Sequence, residues 1–186
     1  PWTAKDLNAC RAEGKPILLY VHVPGTQHNP AAEFLETKVF ANEFVKKILS
    51  DNFNCVMVPT TDQGWPPAYL DPVEKSKVAV YLMTCDGLPL GAPFRPGNMP
   101  QVFTRDGKET CPKLLELAQI VAAVNPAALE KMKKHPPPPF VHPAVAQKAA
   151  AQKAEPKQPA AEPVAPQSKP LPGLGDDKKA ADQKSG

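Results

Sequence analysis

The chain has 186 residues, 42% of them hydrophobic, and a formal net charge of +3 at pH 7. This length suits one domain with a sizeable core, or a smaller domain followed by a tail. The small net charge, without a dense Lys/Arg patch, argues against a nucleic-acid partner. No apolar run approaches the ~20 residues that a membrane-spanning helix needs.

The first predicted element is a short helix near the start of the chain. Thr3 and Asp6 are spaced as in a variant of the capping box, which satisfies the first amide groups of a helix. Leu7 and Cys10 fall on one helical face, and Gly14 is suited to the left-handed conformation that ends a helix. We therefore expect an opening helix that ends at Gly14.

A strand, a loop and a helix follow over residues 15–40. The apolar run 17–23 contains several β-branched and aromatic residues, and it predicts a strand buried on both faces. Pro24-Gly25 ends the strand, and Pro30 suits the first turn of a helix because its missing N–H would be unpaired there. The predicted apolar stripe of that helix contains Phe34, Leu35 and Val39.

The elements that follow are predicted from periodicity and turn signals. In chain order they are a helix over 43–50 capped by Asn42, a strand over 54–60, a strand over 78–83, a hairpin turn at Asp86-Gly87, and a helix from Thr110 that Asn125-Pro126 stops.

The motif Gly14-Lys15-Pro16, followed by an apolar strand, a loop, a helix and Val39-Phe40, resembles the thioredoxin superfamily. It is most similar to a thioredoxin-like branch whose opening helix ends in Gly-Lys-Pro. The resemblance covers roughly residues 2–125. It implies an α/β sandwich around a central mixed sheet, with a Cys-x-x-Cys pair where the loop meets the helix.

This chain has no cysteine at either position that the resemblance implies. Counting from Gly14-Lys15-Pro16 places the pair at Thr26 and Asn29, whereas counting back from Val39-Phe40 places it at Asn29 and Ala32. The degenerate loop therefore contains Thr26, Gln27, His28, Asn29 and Ala32.

The resemblance also implies a cis-proline before the hairpin. Counting back from Asp86-Gly87, the matching position is Val78, and cis peptide bonds are essentially confined to proline. Thiol–disulfide exchange needs an attacking thiolate and a resolving partner. We therefore expect a chain without dithiol oxidoreductase activity.

The four cysteines, Cys10, Cys55, Cys85 and Cys111, are far apart in sequence. Cys111 lies at a predicted helix N-terminus, where the helix dipole favours the thiolate. The alternative hypothesis is therefore a thiol-dependent oxidoreductase that uses an isolated cysteine such as Cys111. The sequence does not decide whether Cys85 and Cys111 form a disulfide. His22 and His28 lack the spacing of a metal site, so we predict neither a metal nor a cofactor.

From His135 onward the composition changes, with 11 prolines between Pro136 and Pro172 among repeated Ala, Lys and Gln. We expect residues 1–134 to form the domain, and 135–186 an extended or disordered tail whose removal hardly affects stability.

The favoured hypothesis is a redox-inactive binding or structural module, an accessory subunit of a larger assembly of proteins, with the tail as tether. Because the chain starts at Pro1, removal of a signal peptide and a location in the periplasm or cell envelope are expected. The candidate interface residues are Trp65, Pro66, Phe94, Met99 and Phe140.

Overall fold

The structure, a computed structural model, describes residues 1–25, 30–70, 73, 77–95, 98, 101–105 and 107–154. The helices and strands in these ranges are α1 (Leu7–Glu13), β1 (Ile17–His22), α2 (Pro30–Phe34) with a π-helical turn (Leu35–Val39), α3 (Glu43–Asn52), β2 (Asn54–Pro59), α4 (Pro67–Leu70), β3 (Val78–Met83), β4 (Phe103–Arg105), β5 (Lys108–Thr110), α5 (Pro112–Lys134) and α6 (Pro143–Ala154).

The central sheet has three strands in the order β2-β1-β3. The middle strand, β1, runs parallel to β2 and antiparallel to β3, so the sheet is mixed. Successive side chains of β1 point to opposite faces: Leu18 and Tyr20 enter one core cluster, whereas Leu19 and Val21 enter the other. Burial on both faces explains why these strands are continuous apolar runs, and it confirms the predicted α/β sandwich with a central mixed sheet.

Each face of the sheet is covered by its own helices. The first cluster contains buried residues of the π-helical turn, α3 and α5, and the second contains those of α1 together with Trp65 and Leu70. The described chain thus forms three layers with the sheet in the middle.

Short pairings extend the sheet on both sides. The amide of Thr3 donates to the carbonyl of Cys55 at 2.9 Å, and the amide of Met57 donates to the carbonyl of Thr3 at 3.0 Å. Beyond β3, Val80 and Phe94 exchange two backbone hydrogen bonds of 2.9 and 2.8 Å. These contacts cover backbone groups that a sheet edge would otherwise expose.

The position of Thr3 corrects the predicted capping of α1. Its hydroxyl donates to the carbonyl of Cys55 at 3.0 Å, so it is committed to the sheet edge. The residue that caps α1 is Asp6, whose carboxylate accepts from the amide of Ala9 at 2.7 Å. Gly14 ends the helix in the left-handed conformation, as predicted.

The helix after the loop changes from α to π geometry within the stripe that was predicted to be apolar. The amide of Phe40 bonds to the carbonyl of Leu35, five residues earlier, at 2.7 Å. Leu35 and Val39 are buried as expected, whereas Phe34 is 46% exposed. The prediction is wrong for Phe34, because the wider turn directs Leu35 and Val39 inward and leaves the preceding residue outside.

The last helix of the domain does not stop at Asn125-Pro126, as was predicted, but continues to Lys134. Asn125 is buried, and its amide binds two other parts of the chain. Its Oδ1 accepts from the amide of Cys85 at 2.8 Å, and its Nδ2 donates to the carbonyl of Gly14 at 3.1 Å. Pro126 and Ala122 are exposed, so the helical hydrogen bond that Pro126 cannot donate is missing on the solvent side of the helix.

Two segments of the predicted tail are structured within the described part of the chain. Residues 136–140 return to α1, where Phe140 pairs with Asn8 and its ring packs on the second core cluster. Residues Pro143–Ala154 then form α6, whose runs of Ala, Gln and Lys are strong helix formers. Residues 155–186 lie outside the described part of the chain. Among the helices described, none has the length and hydrophobicity of a membrane span.

We predict that Asn125→Ala lowers the free energy of unfolding by about 1 to 3 kcal/mol, because it leaves a buried amide donor and a carbonyl without their partner. Urea denaturation measures this change. Gln119→Ala, at an exposed position of the same helix, is the control and should change stability by less than about 0.5 kcal/mol. Equal effects of the two substitutions would contradict the role of Asn125.

We also predict that truncation after Lys134 lowers the free energy of unfolding by about 1 to 3 kcal/mol, through loss of the Phe140 ring contact and two hydrogen bonds. Truncation after His142 retains both and serves as the control. Equal melting temperatures of the two truncated chains would show that residues 135–142 add nothing to the domain.

Candidate functional site

The described residues fix both sides of the predicted degenerate loop. The carbonyl of His22, at the end of β1, accepts from the amide of Thr60 at 2.9 Å. The amide of Val23 donates to the carbonyl of Lys77 at 3.1 Å, and Pro30 begins α2 on the other side. The candidate residues Thr26, Gln27, His28 and Asn29 lie outside the described residues, so their role stays a prediction.

Two other residues of the predicted site are described. Ala32 is half-buried in α2 and packs against the first core cluster. Val78 is fully buried, begins β3, and pairs with His22 across the antiparallel ladder. The structure therefore places Val78 beside the strand end that leads into the loop. Its equivalence to a cis-proline position stays a prediction.

A hydrogen bond joins β1 to the π-helical turn behind the loop. The hydroxyl of Tyr20 donates to Oε1 of Glu36 at 3.0 Å. Burial raises the pKa of Tyr20 well above its usual range, and the neighbouring Glu36 carboxylate raises it further. The Tyr20 hydroxyl is therefore a neutral donor at physiological pH, suited to holding Glu36 and not to acid–base catalysis.

Aromatic rings surround this hydrogen bond. The ring centroid of Trp2 lies 4.8 Å from that of Phe40 and 5.6 Å from that of Tyr20. An open pocket of about 350 Å³ lies beside them, lined by Pro1, Trp2, Glu36, Phe40, Ala41, Lys46 and Met57. Aromatic and thioether walls with one carboxylate and one ammonium group suit the recognition of an apolar side chain.

All four cysteines of the chain are buried and free. The proposed Cys85–Cys111 disulfide is therefore absent, and the sulfur of Cys85 lies 3.6 Å from the sulfur of Met132. Burial raises the pKa of Cys10 and of Cys55 to about 11 in each case, and it raises the pKa of Cys85 as well. A buried thiol in an apolar environment behaves as a small hydrophobic side chain.

The prediction of a reactive Cys111 is not supported by its environment. Cys111 precedes α5, as expected, but it is 0% exposed and belongs to the first core cluster. Burial raises the pKa of its thiol, and a hydrogen bond from the Leu114 backbone offsets this only in part. Desolvation therefore outweighs the helix N-terminus at this position.

Of the candidate interface residues, Trp65 is placed differently from the prediction. Its side chain is 0% exposed in the second core cluster, and its indole N–H donates to the carbonyl of Lys5 at 3.0 Å. The surrounding prolines indicated an exposed loop, but the ring fills the space between α1 and the sheet. Trp65 is therefore a core residue.

The other candidates are half-buried or lie outside the described residues. Pro66 and Phe94 are half-buried, and Phe94 packs against the first core cluster while its backbone pairs with Val80. Phe140 is half-buried against its own domain. Met99 is outside the described residues. Within the described ranges, no set of three His, Cys, Asp or Glu side chains is placed to bind a metal.

Sequence reasoning missed the polar side chains that make long-range contacts. Asn8, Glu36 and Asn125 each lie on a helix, where an isolated polar residue is expected to face the solvent. Only for Asn125 did the sequence indicate burial, since it falls on the buried stripe of α5, four residues after Val121.

Comparison with known proteins gives little further information. No protein-family model matches the chain, and no curated protein matches it in sequence. Among solved structures, the chain is similar to the solution structure of a thioredoxin from Thermus thermophilus, with 18% identity and a TM-score of 0.40. The match covers 73% of this chain and 97% of the thioredoxin. A TM-score at this level carries no argument about function, so the geometry described above has to support any assignment.

Proposed function

We propose that the chain is a redox-inactive binding module with a thioredoxin-like fold, which acts as an accessory subunit of a larger protein assembly. One observation supports this most directly: the chain contains four cysteines, all of them buried and free, and none in the strand–loop–helix segment. Exchange of disulfides requires an accessible thiolate. The proposed module therefore keeps a thioredoxin-like fold but has no reactive cysteine pair.

The alternative, a thiol enzyme that uses Cys111, is disfavoured by the burial of this side chain. The only feature in its favour was the helix N-terminus, and the side chain there is enclosed by Leu114 and the rest of the first core cluster. A substrate disulfide would have to enter the core to reach the sulfur. Reactivity at Cys111 would therefore require the domain to open.

A binding role needs an exposed surface, and because Trp65 is buried, we place the proposed surface around the candidate residues Phe94 and Met99. Phe103, at the start of the β4–β5 hairpin, is 53% exposed, and Leu88 in the turn after β3 is 54% exposed. Large apolar side chains that remain in water are favourable partners for another protein surface. We assign the docking role to residues 92–104, beside Leu88, with protein subunits as partners and no nucleic acid.

The location outside the cytoplasm is also a proposal. Free cysteines are common where thiols are kept reduced, but four buried thiols with no exposed partner would also persist in an oxidising compartment. The fold therefore does not depend on the redox state of its surroundings.

We predict that the folded chain reduces insulin no faster than background in the presence of dithiothreitol. A thiol reagent should label none of the four cysteines at pH 7 and all four in denaturant. Raising the pH to 9 should leave Cys10 and Cys55 unlabelled, because their pKa is about 11 in the folded chain. Turnover that Cys111→Ser abolishes would overturn the proposal in favour of the alternative.

A second prediction tests the binding role. Hydrogen exchange of the native assembly, compared with that of the isolated chain, should show added protection in residues 92–104. The control is residues 43–52 of α3, which the domain already protects in both samples. Identical exchange of 92–104 in the two samples would contradict docking through this surface.

A further inference from the structure

The outer face of α1 holds an extended segment of the same chain through a contact specific to the backbone. The amide of Phe140 donates to Oδ1 of Asn8 at 2.8 Å, and Nδ2 of Asn8 donates to the carbonyl of Phe140 at 3.0 Å. Both backbone groups of one residue are thus satisfied by one side-chain amide, as a neighbouring strand would satisfy them. Such a contact requires an extended backbone at position 140.

The residues before Phe140 are suited to this conformation. Residues 136–139 are four consecutive prolines, which have no N–H to donate and a fixed φ. A proline run is extended before it binds, so ordering it costs little entropy. Its rigid backbone delivers the Phe140 ring to the second core cluster.

The proline run lies over an open trough between α1 and the end of α5. One side of the trough is formed by Asn8, Arg11, Ala12 and Met132 and the other by Pro136, Pro137 and Pro139 themselves, and about 350 Å³ between the two sides is empty. A smaller cleft of about 200 Å³ continues it past Arg11 toward Asp86, Lys131 and His135. The side that faces the proline run thus combines the apolar Ala12 and Met132 with two hydrogen-bonding side chains, Asn8 and Arg11.

We propose that the α1 side of this trough is a docking site for an extended proline-rich peptide followed by an aromatic residue, and that residues 136–140 are a tethered ligand that covers it. A partner protein that carries such a segment would displace them and release α6 and the rest of the tail. The proposal rests on the assigned binding role, and it adds a second docking site together with the chemistry of the partner that this site would bind.

The tether sets how tightly a partner has to bind. A segment joined to its own site competes at an effective concentration in the millimolar range, so an untethered peptide of equal intrinsic affinity binds poorly. Weakening the tethered ligand without altering the trough should therefore reveal the site. Phe140→Ala does this, because it removes the ring but leaves Asn8, Ala12 and Met132 in place.

The experiment uses the full-length chain and a fluorescein-labelled peptide of residues 134–142, with binding measured by fluorescence anisotropy. We expect the Phe140→Ala chain to bind the peptide at least about tenfold more tightly than the unsubstituted chain. The same peptide with alanine in place of Phe140 is the control and should bind neither chain measurably. Failure of the Phe140→Ala chain to bind the unsubstituted peptide would overturn the proposal.

Two further variants of the Phe140→Ala chain test the residues of the site. Asn8→Asp is nearly isosteric and keeps the acceptor for the peptide amide, but it cannot donate to the carbonyl, so affinity should fall at least about tenfold. Ala12→Arg fills the trough from an exposed position and should also weaken binding, which covers the case in which Asn8→Asp fails to fold. Unchanged affinity in a folded variant would contradict the assigned site.

The outcomes separate this inference from the proposed function. Peptide binding together with insulin reduction would support the trough as a docking site and overturn the redox-inactive role. Absence of both peptide binding and insulin reduction would support the redox-inactive role and overturn the trough as a docking site. If sedimentation shows the unsubstituted chain to be a dimer that Asn8→Asp dissociates, the ligand is exchanged between two copies, which overturns occupation by the same chain.

Discussion

The amide side chain of Asn125 is the contact on which the arrangement of this chain depends most. It joins three segments, since it accepts from Cys85 after β3 and donates to Gly14 at the end of α1, while lying in the middle of α5. A buried polar group that is fully hydrogen-bonded specifies one arrangement, because any other leaves its donors and acceptors unpaired. Asn125 therefore fixes the course of α5 across the end of the sheet. The positions of Met132 and of residues 135–140 follow from that course.

The two faces of the sheet serve different purposes. The face under α3 and α5 encloses Cys111 together with Leu18 and Val80, and it keeps the thiol away from solvent. The opposite face, under α1, provides the apolar surface to which Phe140 returns. The strand–loop–helix segment lies at the end of β1, and the trough lies on the outer side of α1. A partner bound in the trough would therefore not cover the end of β1.

The sequence predicted those elements whose signals are local. The predictions of β1, β2 and β3 were correct because each strand is buried on both faces, which requires a continuous apolar run. The burial of Trp65 and the helix through Pro126 were missed, because each depends on a residue distant in sequence: Lys5 for the indole, and Gly14 with Cys85 for Asn125. The degenerate loop, which was inferred from the absence of cysteines, stays a prediction because its residues 26–29 lie outside the described chain. Composition placed Phe140 in a tail because Asn8, its partner, is 132 positions away.

This separation has a consequence for the protein during its synthesis. A ribosome releases the N-terminal residues first, and a domain begins to fold while later residues are still unmade. The α1 side of the trough, with Asn8, therefore leaves the exit tunnel long before Phe140, and for that interval no later residue of the same chain covers it. A partner that bound this face then would not compete with residues 136–140. Chains that met such a partner during translation would differ from those that met it afterwards, although their sequence is the same.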